Sequence, residues 1–476
     1  MATSVDVQKH KVGPSLFVFG TFTEAEAHDL QFSSSPSIFH HRSLSNNSSA
    51  DKESAEKKQR SPSLTLKNQL GTHSSAKEQS VSKRELKGEP LGLVNIGNTC
   101  FANVILQSVI HCSAMNQLLL QTSASQMKEN QDRLFTLGEL TWNLRSENVE
   151  NSFSAKAKAQ RPDAVFLANK EFFDGNGING KPRLELDQAI NLSSNKSVRV
   201  VGPQQDAQEF LGFLIDALHS EQIQSLKQEA KAHSNDLAAS TEDEWQEAGR
   251  GKKNAVKVRA VGETKDRTET CISKIFRGEV RSSVSLSSNF KKQSVTLQPF
   301  TSLQLDIQNR NIASIQDALE VYFGAEYIDD ANSARRSVAI DSMPQVLVLH
   351  LKRFAYSRST QTMSKIKKVI EYPMGLKLKE YFLTSRYKKQ LEIETEILGD
   401  KTVGGDKSSE VRNFSLFSVV AHHGDYVARG HYTNYTYDSV TKKWFHFDDD
   451  VVTAASEGDV LRNPNAYILL YERKRL

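Results

Sequence analysis

The chain has 476 residues and a formal net charge of +4, from 61 lysines and arginines against 57 aspartates and glutamates. So small an excess, with no long Lys/Arg block, gives no argument for direct contact with nucleic acid. Three cysteines exclude a disulfide framework, and no apolar run approaches the roughly 18 residues of a membrane span.

The N-terminus is too polar for a secretory signal. We therefore expect a soluble protein of a reducing compartment, the cytoplasm with the nucleus as a second location, and no membrane partner. No aromatic residue occurs between Phe39 and Phe101, and residues 41–88 are mostly Ser, Asn, Lys, Glu and Gln. Such a stretch buries too little apolar surface to offset its ordering entropy, so residues 1–88 are expected as a disordered tail. Within it "SLFVFGTFTEAEAHDL" (15–30) stands out for its phenylalanines. Gly20 lets the rings of Phe19 and Phe22 point the same way, which suits a linear motif over 17–22 that inserts into a partner's groove. The competing reading is a fragment that docks on the downstream domain.

Order is expected to begin near "EPLGLVNIGNTC". In "GLVNIGNTCFANVILQSVIHC" (92–112), Phe101, Val104, Ile105, Ser108 and Val109 recur at helical spacing. Thr99 is an acceptable N-cap, and Gly97 permits a sharp entry turn. Cys100 then sits in the first turn, where free N–H groups and the helix dipole favour a thiolate, although a lone cysteine is more often a small buried hydrophobe. A second helix is predicted over "QQDAQEFLGFLIDALHSE" (204–221), with Ala207, Phe210, Leu211, Leu214, Ile215 and Leu218 on one stripe. Residues 228–270 are polar and charged, and are expected to be an insertion with little structure of its own.

From about residue 275 the period changes to that of strands. "VRSSVSL", "QSVTLQPF", "SLQLDI", "QVLVLHLKRF", "FSLFSVVAHHG", "GHYTNYTYD", "KKWFHFDDDVV" and "AYILLYER" carry it, with one helix at "SIQDALEVYFG" capped by Ser314. Helices first and antiparallel sheets later define an α+β class. Among thirteen histidines, His431 is singled out by its place between Gly430 and a β-forming run. An adjacent antiparallel strand would bring Asp448 or Asp449 to its imidazole, and strand alternation should let only one of them point at it. A cysteine nucleophile, a histidine base and an orienting carboxylate are the parts of thiol catalysis. Asn95, five residues before Cys100, can supply a side-chain amide to an oxyanion, and the Cys100 N–H another.

"GLVNIGNTCFANVILQ", "QQDAQEFLGFLIDAL", "PQVLVLHLKRF", "GHYTNY" and "WFHFDDDVV", closed by "AYILLYER", resemble the successive signature boxes of the ubiquitin-specific proteases, in that family's order and spacing. The resemblance covers roughly residues 90–476. It implies a papain-like thumb, palm and fingers catalytic domain over 89–476, hydrolysing the (iso)peptide bond after the C-terminal glycine of ubiquitin on ubiquitylated proteins. It carries the family's nucleophile to Cys100, its oxyanion amide to Asn95, its base to His431 and its third member to Asp448. Its acidic readers of the ubiquitin tail fall on Asp206 and Glu209, for which helix capping is the alternative, and Gly430 and Tyr432 fall on the substrate side of the histidine. "STEDEWQEAG" and "VTLQPFTSLQLDIQ" are similar to the ubiquitin carboxyl-terminal hydrolase 10 type. So is Phe19-Gly20-Thr21-Phe22, which implies an NTF2-domain RNA-binding partner; Thr21 stands where an acidic residue is usual.

Many members of that family bind zinc through two Cys-x-x-Cys pairs at the fingertips. The corresponding stretch here, 276–298, has no cysteine, so neither metal nor cofactor is expected. A ubiquitin-binding scaffold with a dead site would lack one of the four competent residue types, and all four positions are filled. A protease for another ubiquitin-like modifier is the other alternative. "CISKIFR" (271–277) matches a phosphatase Cys-x5-Arg only formally, because it lacks the glycine-rich donors of a phosphate cradle.

Overall fold

In the computed structural model, residues 86–473 are described apart from 125–131, 146–158, 175–184, 190–196, 234–246, 249–255, 261–267, 287–288, 329–333, 358–361, 398–412 and 427–428. The expected tail up to residue 85, with Phe19, Gly20 and Phe22, lies outside the described residues.

Helix α1 (Cys100–His111) is the pivot of the helical half, and all 12 of its residues are buried. The sequence reads as an amphipathic run with one helix face picked out by Phe101, Val104, Ile105, Ser108 and Val109. Its polar positions anchor neighbouring backbone, since a buried amide or hydroxyl must find a partner. Gln107 Nε2 donates to Leu91 O at 3.0 Å, and Ser108 shares a 2.8 Å hydrogen bond with Ser418. His111 Nδ1 meets Gln107 O at 2.8 Å. Burial and the nearby Arg145 guanidinium push the His111 pKa down to about 4, so the ring is neutral beside the buried Arg145–Asp438 ion pair.

Four helices follow: α2 (Ser113–Ala124), α3 (Arg133–Asn143), α4 (Asp163–Ala168) and α5 (Lys170–Asp174). Strands β1 (Glu185–Ala189) and β2 (Ser197–Val201), not anticipated from the sequence, form an antiparallel pair. The second predicted helix is α6 (Ala207–His233), twelve residues longer at its C-terminal end than the predicted segment 204–221. The whole predicted stripe from Ala207 to Leu218 is buried. Phe101 of α1 meets Phe210 of α6 edge-on at 5.7 Å, and Phe172 packs on Phe210 at 5.1 Å, which fixes the two helices together.

Much of the expected insertion lies outside the described residues, and its described residues fall mostly into regular elements. It supplies the last turns of α6 and strands β3 (Glu247–Ala248) and β4 (Val256–Ala260), followed by Thr270, which caps α7 (Cys271–Phe276). Strand β4 pairs in parallel with β6, from Lys257 opposite Ser294 to Ala260 opposite Leu297. Backbone hydrogen bonding to a preformed strand needs little apolar side chain, so this edge leaves almost no trace in hydropathy.

The remaining elements are β5 (Gly278–Leu286), β6 (Asn289–Phe300), β7 (Ser302–Asp306), α8 (Ile315–Phe323), β8 (Glu326–Tyr327), β9 (Ala334–Ser342), β10 (Val346–Lys352), β11 (Phe354–Ser357), β12 (Thr362–Lys365), β13 (Gly375–Lys377), α9 (Ser385–Ile397), β14 (Asn413–Tyr426), β15 (Arg429–Asp438), β16 (Lys443–Asp448), β17 (Val451–Ala455), α10 (Glu457–Leu461) and β18 (Ala466–Arg473). Ser314 caps α8 in a reciprocal capping box with Asp317, as its position predicts.

One sheet runs β17-β16-β15-β14-β18-β10-β7, with β13 against β14, and a second runs β3-β4-β6-β5-β9-β8. Both are mostly antiparallel; β7 joins β10 in parallel. The central strands are buried on both faces, and alternation sorts their side chains. Val346, Val348, Ile468 and Leu470 face the cluster built on α1 and α6, while Leu347, Leu349, Leu469 and Tyr471 face the cluster under α8 and α9. Each such aliphatic contributes about 1.5–3 kcal/mol by burial. Helical half, central sheet and second sheet are the parts expected as thumb, palm and fingers.

Candidate active site

The segment before α1 is wound by one side chain. Asn95 Oδ1 accepts from Gly97 N at 3.1 Å, Thr99 N at 3.0 Å and Thr99 Oγ1 at 3.2 Å. Gly97 has φ +123, and a Cβ there would lie 2.0 Å from Val200 O, so only glycine fits. Thr99 stands at the N-cap position but makes no side-chain cap, contrary to expectation. Its hydroxyl turns back to Asn95 and accepts from Ile96 N at 3.1 Å, which tightens the loop rather than the helix. Cys100 is thereby delivered as the first residue of α1, with 2% of its surface exposed.

His431 lies on β15 opposite His423 of β14. Its neighbour Gly430 donates its N–H to Gln204 Oε1 at 3.2 Å. A Cβ on Gly430 would come within 2.4 Å of His423 O and 2.5 Å of His422 Nε2, so the approach of the two strands demands glycine. His431 Nε2 meets Asp448 Oδ1 at 2.5 Å, which leaves the other ring nitrogen for the thiol. The imidazole pKa is raised to about 9, chiefly by the hydrogen bond to Cys100 and then by Asp448, against the opposing effect of burial. At neutral pH an imidazolium stands beside the thiol, the pairing in which cysteine reacts as thiolate.

The end of β16 bears on both aspartates. Alternation along a strand would exclude Asp449, but β16 stops at Asp448 and Asp449 has φ +50. Both carboxylates therefore come close: ligand atoms of His431, Asp448 and Asp449 lie within 4.8 Å of one another. That trio could hold a metal among the described residues, yet its acceptors already have partners. Asp449 Oδ2 accepts from Asn95 Nδ2 at 2.9 Å and Oδ1 from Asn103 Nδ2 at 2.8 Å, while its carbonyl accepts from Leu93 N at 2.8 Å. A Cβ on Gly92 would fall 2.6 Å from Asp449 O, so that glycine lets the two chain segments meet. Burial raises the Asp449 pKa, and the two amides oppose that shift. Asp448 is thus the carboxylate on His431, whereas Asp449 holds the amides of Asn95 and Asn103.

Two of the substrate-side expectations change. Asp206 is buried and caps α6: its Oδ1 accepts from Gln208 N at 2.7 Å and its Oδ2 from Tyr467 OH at 2.6 Å. Helix capping is thus the role the structure gives it, and burial raises its pKa. Glu209, one turn further on, is half-buried. Tyr432 has no exposed surface; its ring packs on His422 at 4.6 Å because it alternates with His431 across β15. Asn103 and Gln204 were not anticipated as parts of the site. Asn103 could have been noticed as a polar residue one turn after Cys100.

A thiol at a helix N-terminus, an imidazole and a carboxylate in line, and an amide held beside them are the parts that thiol hydrolysis of papain-like logic requires. Residues 91–471 match the family model described as "Ubiquitin carboxyl-terminal hydrolase". The chain belongs to that family. It is 29% identical over 415 residues to ubiquitin carboxyl-terminal hydrolase 10 of Gallus gallus, covering 81% of this chain and 49% of that protein. Against ubiquitin hydrolase B of Dictyostelium discoideum the identity is 33% over 282 residues, covering 56% of this chain and 55% of the other. The chain thus spans about half the length of the curated relatives it matches most extensively. Among solved structures, a chain of the SAGA Ubp8/Sgf11/Sus1/Sgf73 DUB module bound to ubiquitin aldehyde shares the fold. Its TM-score is 0.55 at 21% identity, over 81% of this chain and 70% of that one.

Proposed function

We propose that the chain is a cysteine-type deubiquitinase, hydrolysing the (iso)peptide bond after the C-terminal glycine of ubiquitin on ubiquitylated proteins. The observation that carries this is the alignment of Cys100, His431 and Asp448 in one hydrogen-bonded row. The Cys100 thiolate attacks the glycine carbonyl, and the oxyanion is met by Asn95 Nδ2 and the Cys100 N–H. His431 gives its proton to the departing lysine amine, then takes one from the water that hydrolyses the thioester. Gly430 lets β14 and β15 close together beside the histidine that faces the substrate. Glu209 is the acidic group we assign to the tail arginines, with Asp206 setting the helix turn that presents it. Ubiquitin is supported as the partner by the family and by the solved relative that holds ubiquitin aldehyde.

An electrophilic ubiquitin probe is expected to label Cys100 and neither Cys112, which is buried, nor Cys271, which is exposed. Labelling only by probes of other ubiquitin-like modifiers would move the assignment to that class, and labelling at Cys271 would discard the site. The pH profile offers a second check. The charged imidazole is present below its raised pKa and lost as pH rises through it, so kcat/KM for a ubiquitin amide should fall through about pH 9.

The N-terminal segment supports a separate role. Phe19, Gly20 and Phe22 are assigned to recruit an NTF2-domain RNA-binding protein without contributing to turnover. Pull-down with Phe19→Ala/Phe22→Ala should lose that partner while cleavage stays unchanged. Unchanged recovery removes the motif, and a large drop in cleavage would indicate docking on the catalytic domain instead.

A further inference from the structure

Strand β14 outruns its neighbour just where the histidine is held. Strand β18 begins at Ala466, opposite Ala421, and the last contact on that edge is His422 N donating to Asn465 O at 3.1 Å. Beyond it the carbonyls of His422 and Gly424 have no strand to receive them. Lys365, the last residue of β12, supplies the missing donors. Its Nζ donates to His422 O at 2.6 Å and Gly424 O at 3.0 Å, with Asn465 Oδ1 at 3.5 Å. An ammonium has three N–H groups, and three acceptors converge on this one. Lys365 is half-buried, and desolvation followed by the Arg353 charge lowers its pKa to about 8. The exposed pair Lys367–Asp425 at 2.8 Å lies alongside and contributes little, being open to solvent.

The two carbonyls that Lys365 holds flank His423, the direct cross-strand partner of His431. The backbone there has no slack. Gly424 has φ +112, and a Cβ on it would lie 2.9 Å from both Arg429 O and Gly430 Cα. The ladder also changes register between His423 and Tyr426, so regular pairing ends at His423–His431. A strand end with a register break and two unreceived carbonyls is free to fray unless something outside the ladder holds it.

We infer that Lys365 is a positioning residue: by receiving the carbonyls on either side of His423 it fixes the end of β14 opposite His431 and so keeps the imidazole against Cys100. The inference deepens the hydrolase reading and rests on it for its kinetic part only. It also ties the β11–β12 pair, which exposes Tyr356 and Met363 on facing positions, to the strand that carries the base's partner.

The test uses the full chain with Cys271→Ser, to remove the exposed thiol, and compares Lys365→Met, Lys365→Arg and Lys367→Met. Iodoacetamide alkylation of Cys100, followed by peptide mass across pH, reports the Cys100–His431 pairing without any ubiquitin. Steady-state cleavage of a ubiquitin C-terminal amide reports turnover. Lys365→Met should slow Cys100 alkylation near neutral pH about tenfold, with recovery only at higher pH, and should lower kcat by a similar factor while KM stays within about twofold. Lys365→Arg should restore most of both, and Lys367→Met should match the parent. A Lys365→Met protein with the parent's alkylation profile and kcat overturns the inference. Should that variant fail to fold, Lys365→Ala, which removes the donors and leaves room for water, decides by the same readouts: slowed alkylation upholds the role and a parental profile overturns it. If the parent alkylates normally at Cys100 yet cleaves no ubiquitin amide, the hydrolase reading fails while the alkylation arm still decides on Lys365.

Discussion

Cys100→Ala is expected to lower cleavage of a ubiquitin C-terminal amide by about 10⁴-fold or more, since no other group can form the acyl intermediate. Ubiquitin binding should persist. The side chain is almost wholly buried and contributes little surface to a bound tail, and losing one sulfur atom from the core costs stability on the order of 1 kcal/mol. Because Asn95, Thr99 and Gly97 wind the preceding loop independently of the thiol, the helix start keeps its place. Turnover and affinity, measured side by side by amide cleavage and by titration with labelled ubiquitin, should therefore separate. A variant retaining a tenth of parental turnover would exclude Cys100 as nucleophile.

The second large effect is expected at Asp448. Asp448→Asn replaces the carboxylate at His431 Nε2 by an amide that can present its N–H there, which favours the wrong tautomer and removes the charge that supports the imidazolium. Loss of about 10²-fold or more in kcat should follow, with little change in thermal stability because both side chains are partly open to solvent. Asp449→Asn should behave differently. The carboxylate receives amides from the exposed Asn95 and the buried Asn103, and a single amide oxygen cannot replace both acceptors, which costs about 1–3 kcal/mol where the donor left over is Asn103. Lower thermal stability with a smaller loss of kcat, assayed well below the melting transition, is the expected signature. If Asp449→Asn loses more kcat than Asp448→Asn while melting normally, the roles of the two residues are exchanged.

Much of this was open to reading in the chain itself because it is written in local patterns. The helical spacing after Cys100, the apolar stripe from Ala207 to Leu218 and the alternation through "FSLFSVVAHHG" and "AYILLYER" correspond to α1, α6, β14 and β18. Gly430 beside His431 was visible in the chain, and the fold adds that the approach of β14 demands a glycine there. These features depend on residues a few positions apart, so composition and period suffice to reveal them.

Other assignments depended on contacts between distant parts of the chain. Asn95 reaches Asp449 across 354 positions, and Asp206 reaches Tyr467 across 261. Nothing local distinguishes an acidic residue that caps a helix inside the core from one that waits for an arginine. The roles of Asp448 and Asp449 turned on one backbone angle, because alternation ceases where β16 stops. The burial of the polar residues of α1 is set by the segments that pack around it, and Lys365 acquired its place only because β14 extends past β18. Periodicity records which side of an element is apolar. Which partner satisfies a buried polar group is decided by tertiary packing, since that partner arrives from elsewhere in the chain.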